Sequence, residues 1–324
     1  MYPFKFKPIL KKVLWGGDRI CRLKNITPVQ NGIGESWEVS AVTNNISVVD
    51  NGSMAGKSID ELIDLYADKL SGKKVFERFG KRFPLLVKFI DAQKALSIQV
   101  HPDDNLAQKR HNAFGKTEMW YVIKAEAGAY LYSGFSTAVN PETYLESIAD
   151  GSFTDYLQKF EVKAGDVFFL PAGRVHAIGA GCLIAEIQQT SDITYRIFDY
   201  NRCDDNGNFR ELHTGLAKDA IDYRLYSNYK TNYSPKINEI QTLVSCRHFT
   251  TQIIEAEAGK ILKPDAVDDS FSIYICTKGR AILKYSNNSE TIEIRQGETM
   301  LVPATVHIET ILFEERGNLL RSFL

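Results

Sequence analysis

Two histidines, a glutamate and a glutamine are spaced in a way that suits a metal ion. Gln99 and His101 are two residues apart, so on a strand their side chains face the same side. Glu118 opens a later strand-like segment, and His176 follows a turn. Two histidines and one carboxylate with an open position are typical of catalytic zinc sites, and zinc tolerates an added amide oxygen. The alternative is that each histidine is a half-buried structural residue. The other four histidines lack such company, and we expect them to be structural: His111, His213, His248 and His307.

A second group of candidates surrounds Arg196, within an apolar and aromatic stretch that runs from 190 to 202. A buried charge is costly unless it is paired or used. A guanidinium can hydrogen-bond two oxygens at once, which suits a clamp for an anion or an enediolate. The alternative is a structural salt bridge with Asp192, four residues earlier.

A tryptophan and two glycines near the N-terminus are a third candidate. Gly16 and Gly17 let the backbone approach a neighbour closely. Trp15 is suited to stack on the face of a sugar, although a core position is the commoner role for tryptophan.

Strand patterns dominate the chain, because β-branched and aromatic runs are bounded by Gly, Pro, Asn or Asp. The predicted strands are 47–50, 119–125, 166–171, 182–189, 249–256, 271–277 and 281–285. Ser58 and Glu61 form a capping box ahead of one helix, and Pro141 opens another. Many short strands with glycine-rich turns indicate a mainly β sandwich or barrel with a small inserted helical segment, about 57–115.

Two segments look like copies of one unit. Gly165–Pro171 and Gly297–Pro303 share the pattern Gly-acid-x-x-apolar-apolar-Pro, and each is followed by a histidine. The pattern describes a tight turn into a strand that Pro ends at a sheet edge. The repeat predicts two related β-domains, with chance similarity as the alternative.

The expected domain boundary lies near residue 236. A polar turn-forming stretch at 204–208 is followed by a connector rich in Tyr, Asn, Ser and Lys at 223–235. We therefore expect a first domain at 1–235 that carries the metal site and a second, degenerate domain at 236–324.

Composition excludes several classes of protein. The 324 residues include 39 Lys and Arg against 40 Asp and Glu, so a nucleic-acid binder is not expected. No apolar run suits a signal peptide or a membrane span, and five scattered cysteines without a CxxC pair favour reduced thiols in a cytoplasmic protein. The absence of GxGxxG, P-loop, GxSxG and HExxH motifs argues against P-loop kinases, α/β-hydrolases and zincins.

Four stretches together resemble the type I mannose-6-phosphate isomerases: 97–104 (SIQVHPDD), 115–121 (GKTEMWY), 169–176 (FLPAGRVH) and 191–196 (SDITYR). The resemblance covers nearly the whole chain, and the combination of Gln-x-His-Pro with Lys-x-Glu is specific. It implies two cupin (jelly-roll) β-barrel domains plus a helical segment, and one zinc ion per chain.

The resemblance also implies residue roles. It implies that the zinc ligands are Gln99, His101, Glu118 and His176. It also implies that Arg196 is the active-site arginine, Lys116 the pocket lysine and Asp192 the acid of the arginine motif. The chain is similar to the compact bacterial branch without the long helical insertion, which leaves Gln99 in doubt as a ligand. The second copy has 269–271 where the first has Glu118, and it is not expected to bind metal.

The implied reaction interconverts mannose 6-phosphate and fructose 6-phosphate through a cis-enediol. Arg196 is suited to steady the enediolate, and the general base is either Lys116 or Asp192. Trp15 is the candidate sugar platform, and the candidate phosphate seats are Lys88, Arg174 and Arg202.

Two other hypotheses remain at this stage: a cupin isomerase of an unphosphorylated sugar, and a non-enzymatic sugar-binding cupin. The expected partner is a small sugar phosphate, with no membrane and no obligate protein partner.

Overall fold

The computed structural model describes residues 1–203, 206–285 and 290–324. Positions 204 and 205 of the predicted polar turn lie outside the described residues. The strands are β1 (Phe4–Lys5), β2 (Ile9–Gly17), β3 (Ile33–Val39), β4 (Ala41–Val42), β5 (Asn45–Ile46), β6 (Leu85–Ala92), β7 (Ile98–Val100), β8 (Glu118–Ala125), β9 (Tyr130–Phe135), β10 (Leu157–Glu161), β11 (Val167–Leu170), β12 (His176–Ile178), β13 (Cys182–Gln189), β14 (Tyr195–Phe198), β15 (Glu239–Ser245), β16 (Thr250–Ala256), β17 (Ile261–Leu262), β18 (Ser272–Lys278), β19 (Arg280–Tyr285), β20 (Glu290–Arg295), β21 (Thr299–Val302), β22 (Ile308–Phe313) and β23 (Gly317–Phe323). The helices are α1 (Arg19–Leu23), α2 (Ile59–Tyr66), α3 (Asp68–Ser71), α4 (Lys73–Phe79), α5 (Asp104–His111), α6 (Pro141–Asp150) and α7 (Thr214–Ala220).

Both predicted helix starts are confirmed. Ser58 Oγ accepts the Glu61 N–H at 3.1 Å, and the Glu61 carboxylate accepts the Ser58 N–H at 2.7 Å, so two N-terminal donors of α2 are satisfied. Pro141 occupies the first turn of α6. The strand predicted at 47–50 is reduced to isolated bridges at Val48 and Val49 beside β5.

The predicted mainly β fold is confirmed, but the sheets are not closed barrels. The first large sheet has the order β11-β8-β13-β6-β3-β2, and the first small sheet has the order β10-β9-β12-β7-β14. The second large sheet has the order β1-β21-β18-β23-β16-β15, and the second small sheet has the order β17-β22-β19-β20. Within the described residues each of these sheets keeps two edges. The first large and first small sheets are referred to below as the first half, and the second large and second small sheets as the second half.

The two large sheets share one strand order. The series β11-β8-β13-β6-β3 corresponds to β21-β18-β23-β16-β15. The turns that open the repeated unit also match, because Gly165 and Gly297 have positive φ values of 90° and 82°. This order supports the predicted duplication, and the boundary near 236 stays a prediction. Strand β1 pairs with β21, so the N-terminal residues extend the second large sheet.

Alternation along β8 separates a core face from a site face. Met119 and Tyr121 pack into the core between the two large sheets, together with Ile273 and Ile275 of β18. Trp120 points the other way and packs with residues of the first small sheet. The site face of β8 is therefore directed into the space between the first large and first small sheets, which apolar packing holds together.

Candidate active site

Three predicted ligands meet between the first large and first small sheets. His101 directly follows β7, Glu118 opens β8 and His176 opens β12. One ligand atom from each lies within 4.8 Å of the others, and all three side chains are buried. The carboxylate of Glu118 lies 3.5 Å from His101 Nε2 and 3.2 Å from His176 Nε2.

Backbone carbonyls fix how the two imidazoles face the carboxylate. His101 Nδ1 donates to Ile193 O at 2.9 Å, and His176 Nδ1 donates to Arg174 O at 2.8 Å. Since a carbonyl oxygen only accepts, each Nε2 of a neutral imidazole turns its lone pair toward Glu118. This orientation of histidine by a second hydrogen bond is typical of metal ligands.

The atoms that face each other have no hydrogen-bond partner among the described residues. These buried atoms are His101 Nε2 and both carboxylate oxygens of Glu118. Buried polar atoms without partners are costly, and a cation between them removes that cost. The donor set of two imidazoles and one carboxylate therefore fits a metal ion.

Burial tunes the protonation of the metal-free cluster. It raises the pKa of Glu118 to about 8, reinforced by the nearby Glu186 carboxylate. It lowers the pKa of His176 to about 4 and moves the pKa of His101 well below its ordinary value. Both imidazoles are therefore neutral at pH 7, which is the form that ligates a metal.

Gln99 lies beside this cluster. It pairs with His176 across β7 and β12, and its side-chain amide is 3.3 Å from His176 Nε2. A side-chain amide carries an oxygen and a nitrogen at the same end. Rotation of the Gln99 amide by half a turn would therefore place its oxygen where its nitrogen lies, facing the cluster.

A cavity of about 320 Å³ lies beside the cluster, and its lining includes Gln99 and Lys116, which contact the cluster. Six residues singled out in the sequence line it: Trp15, Lys88, Gln99, Lys116, Asp192 and Arg196. The ammonium of Lys116 is buried and lies 3.4 Å from Glu118 Oε2, which joins the cavity to the metal cluster.

Arg196 lies in β14 directly opposite Gln99. One guanidinium nitrogen donates to Glu211 O at 2.8 Å, whereas its buried Nε has no partner among the described residues. Burial lowers the pKa of Arg196 from its ordinary value, and the nearby Arg210 lowers it further. The expected alternative of a salt bridge to Asp192 is absent from the described ion pairs, and Asp192 is exposed at the cavity mouth.

Lys88 already has carboxylate partners in the cavity wall. Its ammonium lies 3.3 Å from Glu186 and 3.7 Å from Glu35, and 4.8 Å from the centre of the Trp37 ring. Burial opposes its charge, but these carboxylates prevail and bring the pKa of Lys88 to about 12. The sequence analysis did not single out either glutamate. A signal for Glu186 existed, because it is a charged residue inside the predicted strand 182–189.

The two other predicted phosphate seats lie outside the cavity lining. Arg202 donates to Ala95 O and pairs with Asp199. Arg174 lies 4.7 and 4.5 Å from the ring centres of two tyrosines at 226 and 229. Arg210, which the sequence analysis did not single out, does line the cavity and pairs with Asp199.

Comparison with known proteins decides the family. The model of the type I phosphomannose isomerase catalytic domain matches residues 4–124. A Streptococcus mutans mannose-6-phosphate isomerase is 34% identical over 305 residues, which cover 94% of this chain and 93% of that protein. The chain belongs to the type I phosphomannose isomerase family. Mannose-6-phosphate isomerase ManA of Bacillus subtilis is 37% identical over 252 residues, or 76% of this chain and 78% of that protein.

A solved structure agrees over the full length. The crystal structure of the mannose 6-phosphate isomerase from Bacillus subtilis superposes with a TM-score of 0.88 at 31% identity, covering 100% of both chains. The predicted family and the predicted isomerase class are confirmed. No helix of the described part of this family member is long and apolar enough to span a membrane.

Proposed function

We propose that this family member is a zinc-dependent isomerase that interconverts mannose 6-phosphate and fructose 6-phosphate through a cis-enediol. The observation that carries the proposal is the buried cluster of His101, Glu118 and His176, whose facing atoms lack partners, beneath a cavity that holds Arg196. Family membership supports the substrate, and the donor set supports zinc.

His101, Glu118 and His176 would hold the ion, with the amide oxygen of Gln99 as a fourth ligand. Bound zinc would supply Lewis acidity toward substrate oxygens. The Nδ1 hydrogen bonds of both histidines keep their Nε2 atoms aimed at the ion position without reorganisation.

Arg196 stabilises the enediolate in this proposal. It lies next to Gln99, it forms none of the described ion pairs, and its buried Nε has no hydrogen-bond partner among the described residues. A guanidinium without a direct carboxylate partner is available for an anion that forms only during the reaction. Lys88 suits this role less, because Glu186 and Glu35 already neutralise it.

Arg210 binds the phosphate in this proposal. Its guanidinium reaches the cavity while Asp199 holds it in a two-point contact, and its side chain is 29% exposed. Arg202 pairs with the same carboxylate of Asp199 but does not line the cavity. In this proposal it holds Asp199 in place, and Asp199 positions Arg210.

Asp192 is the proposed general base, and Lys116 the proton donor. Asp192 lines the cavity without an ion-pair partner among the described residues, whereas the two lining glutamates are bound to Lys88. The Lys116 ammonium lies 3.4 Å from Glu118, so it stands between the cavity and the metal cluster. An ionised carboxylate accepts a proton and an ammonium donates one.

A coupled assay tests the proposal on the full chain. We expect turnover of mannose 6-phosphate that chelation abolishes and added zinc restores. Turnover of mannose alone would support the isomerase of an unphosphorylated sugar, and absence of turnover on both substrates with zinc bound would overturn the substrate assignment.

A further inference from the structure

The second half contains its own cavity, at the place that corresponds to the catalytic one. It measures about 220 Å³, and it lies beside β18 and β23, as the catalytic cavity lies beside β8 and β13. Its lining includes the side chains of Ser270, Ser272 and Arg321, all of which are buried.

Register shows which residues replace the metal cluster here. Leu170 pairs with Glu118 in the first half, and Val302 pairs with Ser272 in the second, so Ser272 occupies the position of Glu118. The prediction that residues 269–271 occupy the position of Glu118 is therefore wrong, because Ser272, the next residue, occupies it. Asp269 instead accepts two backbone N–H groups at the start of α4.

The adjoining row of side chains is also replaced. In the first half, Trp120, Glu186 and Lys88 stand side by side on β8, β13 and β6. Glu186 accepts the Trp120 N–H at 2.8 Å, and its other carboxylate oxygen forms an ion pair with Lys88 Nζ at 3.3 Å, so the charges of this row are paired.

The corresponding row in the second half is Tyr274, Arg321 and Gln252. An arginine thus stands where the first half has a glutamate. Arg321 is 5% exposed, and one of its nitrogens donates to Asp265 O at 2.9 Å. Its Nε and the side-chain oxygen of Gln252 are buried without hydrogen-bond partners among the described residues.

The charge of Arg321 has no carboxylate partner among the described ion pairs. The rings of Tyr274 and Phe323 lie 5.6 and 5.3 Å from its guanidinium carbon, and such contacts offset only part of the cost of burying a cation. The acids on the cavity rim, Asp265 and Glu309, are exposed, and Glu309 pairs with Lys284 at 3.1 Å.

We propose that this cavity binds a small oxyanion of the phosphate class, with Arg321 as its charged donor and Ser272 beside it. A guanidinium presents a fork of N–H donors that matches phosphate geometry, and the Ser272 hydroxyl adds a donor, whereas the Ser270 hydroxyl already donates to Phe271 O. The cavity is smaller than the catalytic one, at about 220 against 320 Å³, so it suits inorganic phosphate or a short phosphate ester. The proposal does not depend on the isomerase reaction.

Calorimetric titration of the metal-loaded full chain with inorganic phosphate tests the site by stoichiometry. We expect two phosphates per wild-type chain, one in the cavity of Arg196 and one here, and a single phosphate in Arg321→Met. Arg321→Lys should keep the second site with affinity reduced about tenfold to a hundredfold, as expected for loss of a charged hydrogen bond. Arg280→Gln, which changes a half-exposed arginine of the same half outside the cavity lining, is the matched control and should still bind two.

Loss of folding in Arg321→Met would not hide the answer, because crystals of the wild type soaked in selenate report the site directly. An anomalous peak within hydrogen-bond distance of Arg321 at low millimolar selenate supports the proposal. A peak only in the catalytic cavity, or one at Arg321 only at molar concentration, overturns it. A parallel titration with glycerol 3-phosphate distinguishes a site for inorganic phosphate from a site for a phosphate ester. Tighter binding of glycerol 3-phosphate than of inorganic phosphate indicates an ester ligand.

Discussion

The Nε2 atom of His176 lies 3.2 Å from Oε1 of Glu118, while its Nδ1 donates to the carbonyl of Arg174. Two acceptor atoms held face to face in a buried site repel each other unless a proton or a cation lies between them. The fold enforces this arrangement, because β8 and β12 belong to different sheets that are packed by apolar residues. The contact therefore marks the place where the proposed metal ion would bind.

Loss of a ligand should remove the metal without removing the fold. Glu118→Gln keeps the shape of the side chain but lacks its charge, so we expect zinc content near zero and activity reduced more than about a hundredfold, beyond the effect of losing a supporting hydrogen bond. Elemental analysis and circular dichroism check both points. Glu161→Gln, at an exposed position, is the control, and full zinc content in Glu118→Gln would refute the ligand assignment.

Substitutions of the two cavity arginines, Arg196 and Arg210, should affect different kinetic constants. Arg196→Met removes an interaction made with the developing charge, so we expect kcat to fall about a hundredfold to a thousandfold with little change in KM. Arg210→Gln removes a contact to the phosphate, so we expect KM for mannose 6-phosphate to rise about tenfold or more. Steady-state kinetics measure both. The same kinetic pattern in the two variants would contradict the division of roles.

Asp192→Asn distinguishes the two candidates for the general base. Removal of a base lowers kcat by about a hundredfold to ten-thousandfold, and the acidic limb of the pH–rate profile should disappear with it. Lys116→Met should instead alter the alkaline limb. Retention of the acidic limb in Asp192→Asn would move the role of base to another group.

The metal-free protein should lose stability as the pH rises from 6.5 to 8. Burial raises the pKa of Glu118 from 4.5 to about 8, so over this range the folded chain holds a proton that the unfolded chain has released. Folding stability therefore falls with pH, by up to about 2 kcal/mol over this window. Below pH 6.5, His176 opposes the trend, because its pKa is lowered from 6.5 to about 4 and the unfolded chain binds the extra proton.

Urea denaturation of chelator-treated protein at pH 6.5 and pH 8 measures this loss. Glu118→Gln cannot titrate, so its stability should change much less between the two pH values. An equal loss in the wild type and the variant would assign the effect to other groups.

Short-range sequence patterns predicted the metal cluster. Gln99 and His101 share one side because a strand repeats every two residues, and the segment Gly165–Pro171 leads to His176 at the start of β12. The capping box at Ser58 and the repeated unit at Gly297–Pro303 were predictable for the same reason. Each is specified by residues that are close in the chain.

The sequence by itself indicated the family and the mainly β class, and its resemblance to that family singled out the residues of the metal cluster, because motifs and strand patterns are local features of the chain. Only the tertiary structure decided that Arg210 rather than Arg202 lines the cavity, since both arginines pair with Asp199 and chain spacing does not say which of them faces the cavity. It also decided that the sheets stay open and that Arg321 stands where Glu186 does in the first half. Those facts depend on strand register and on contacts between residues far apart in the chain, which no local pattern specifies.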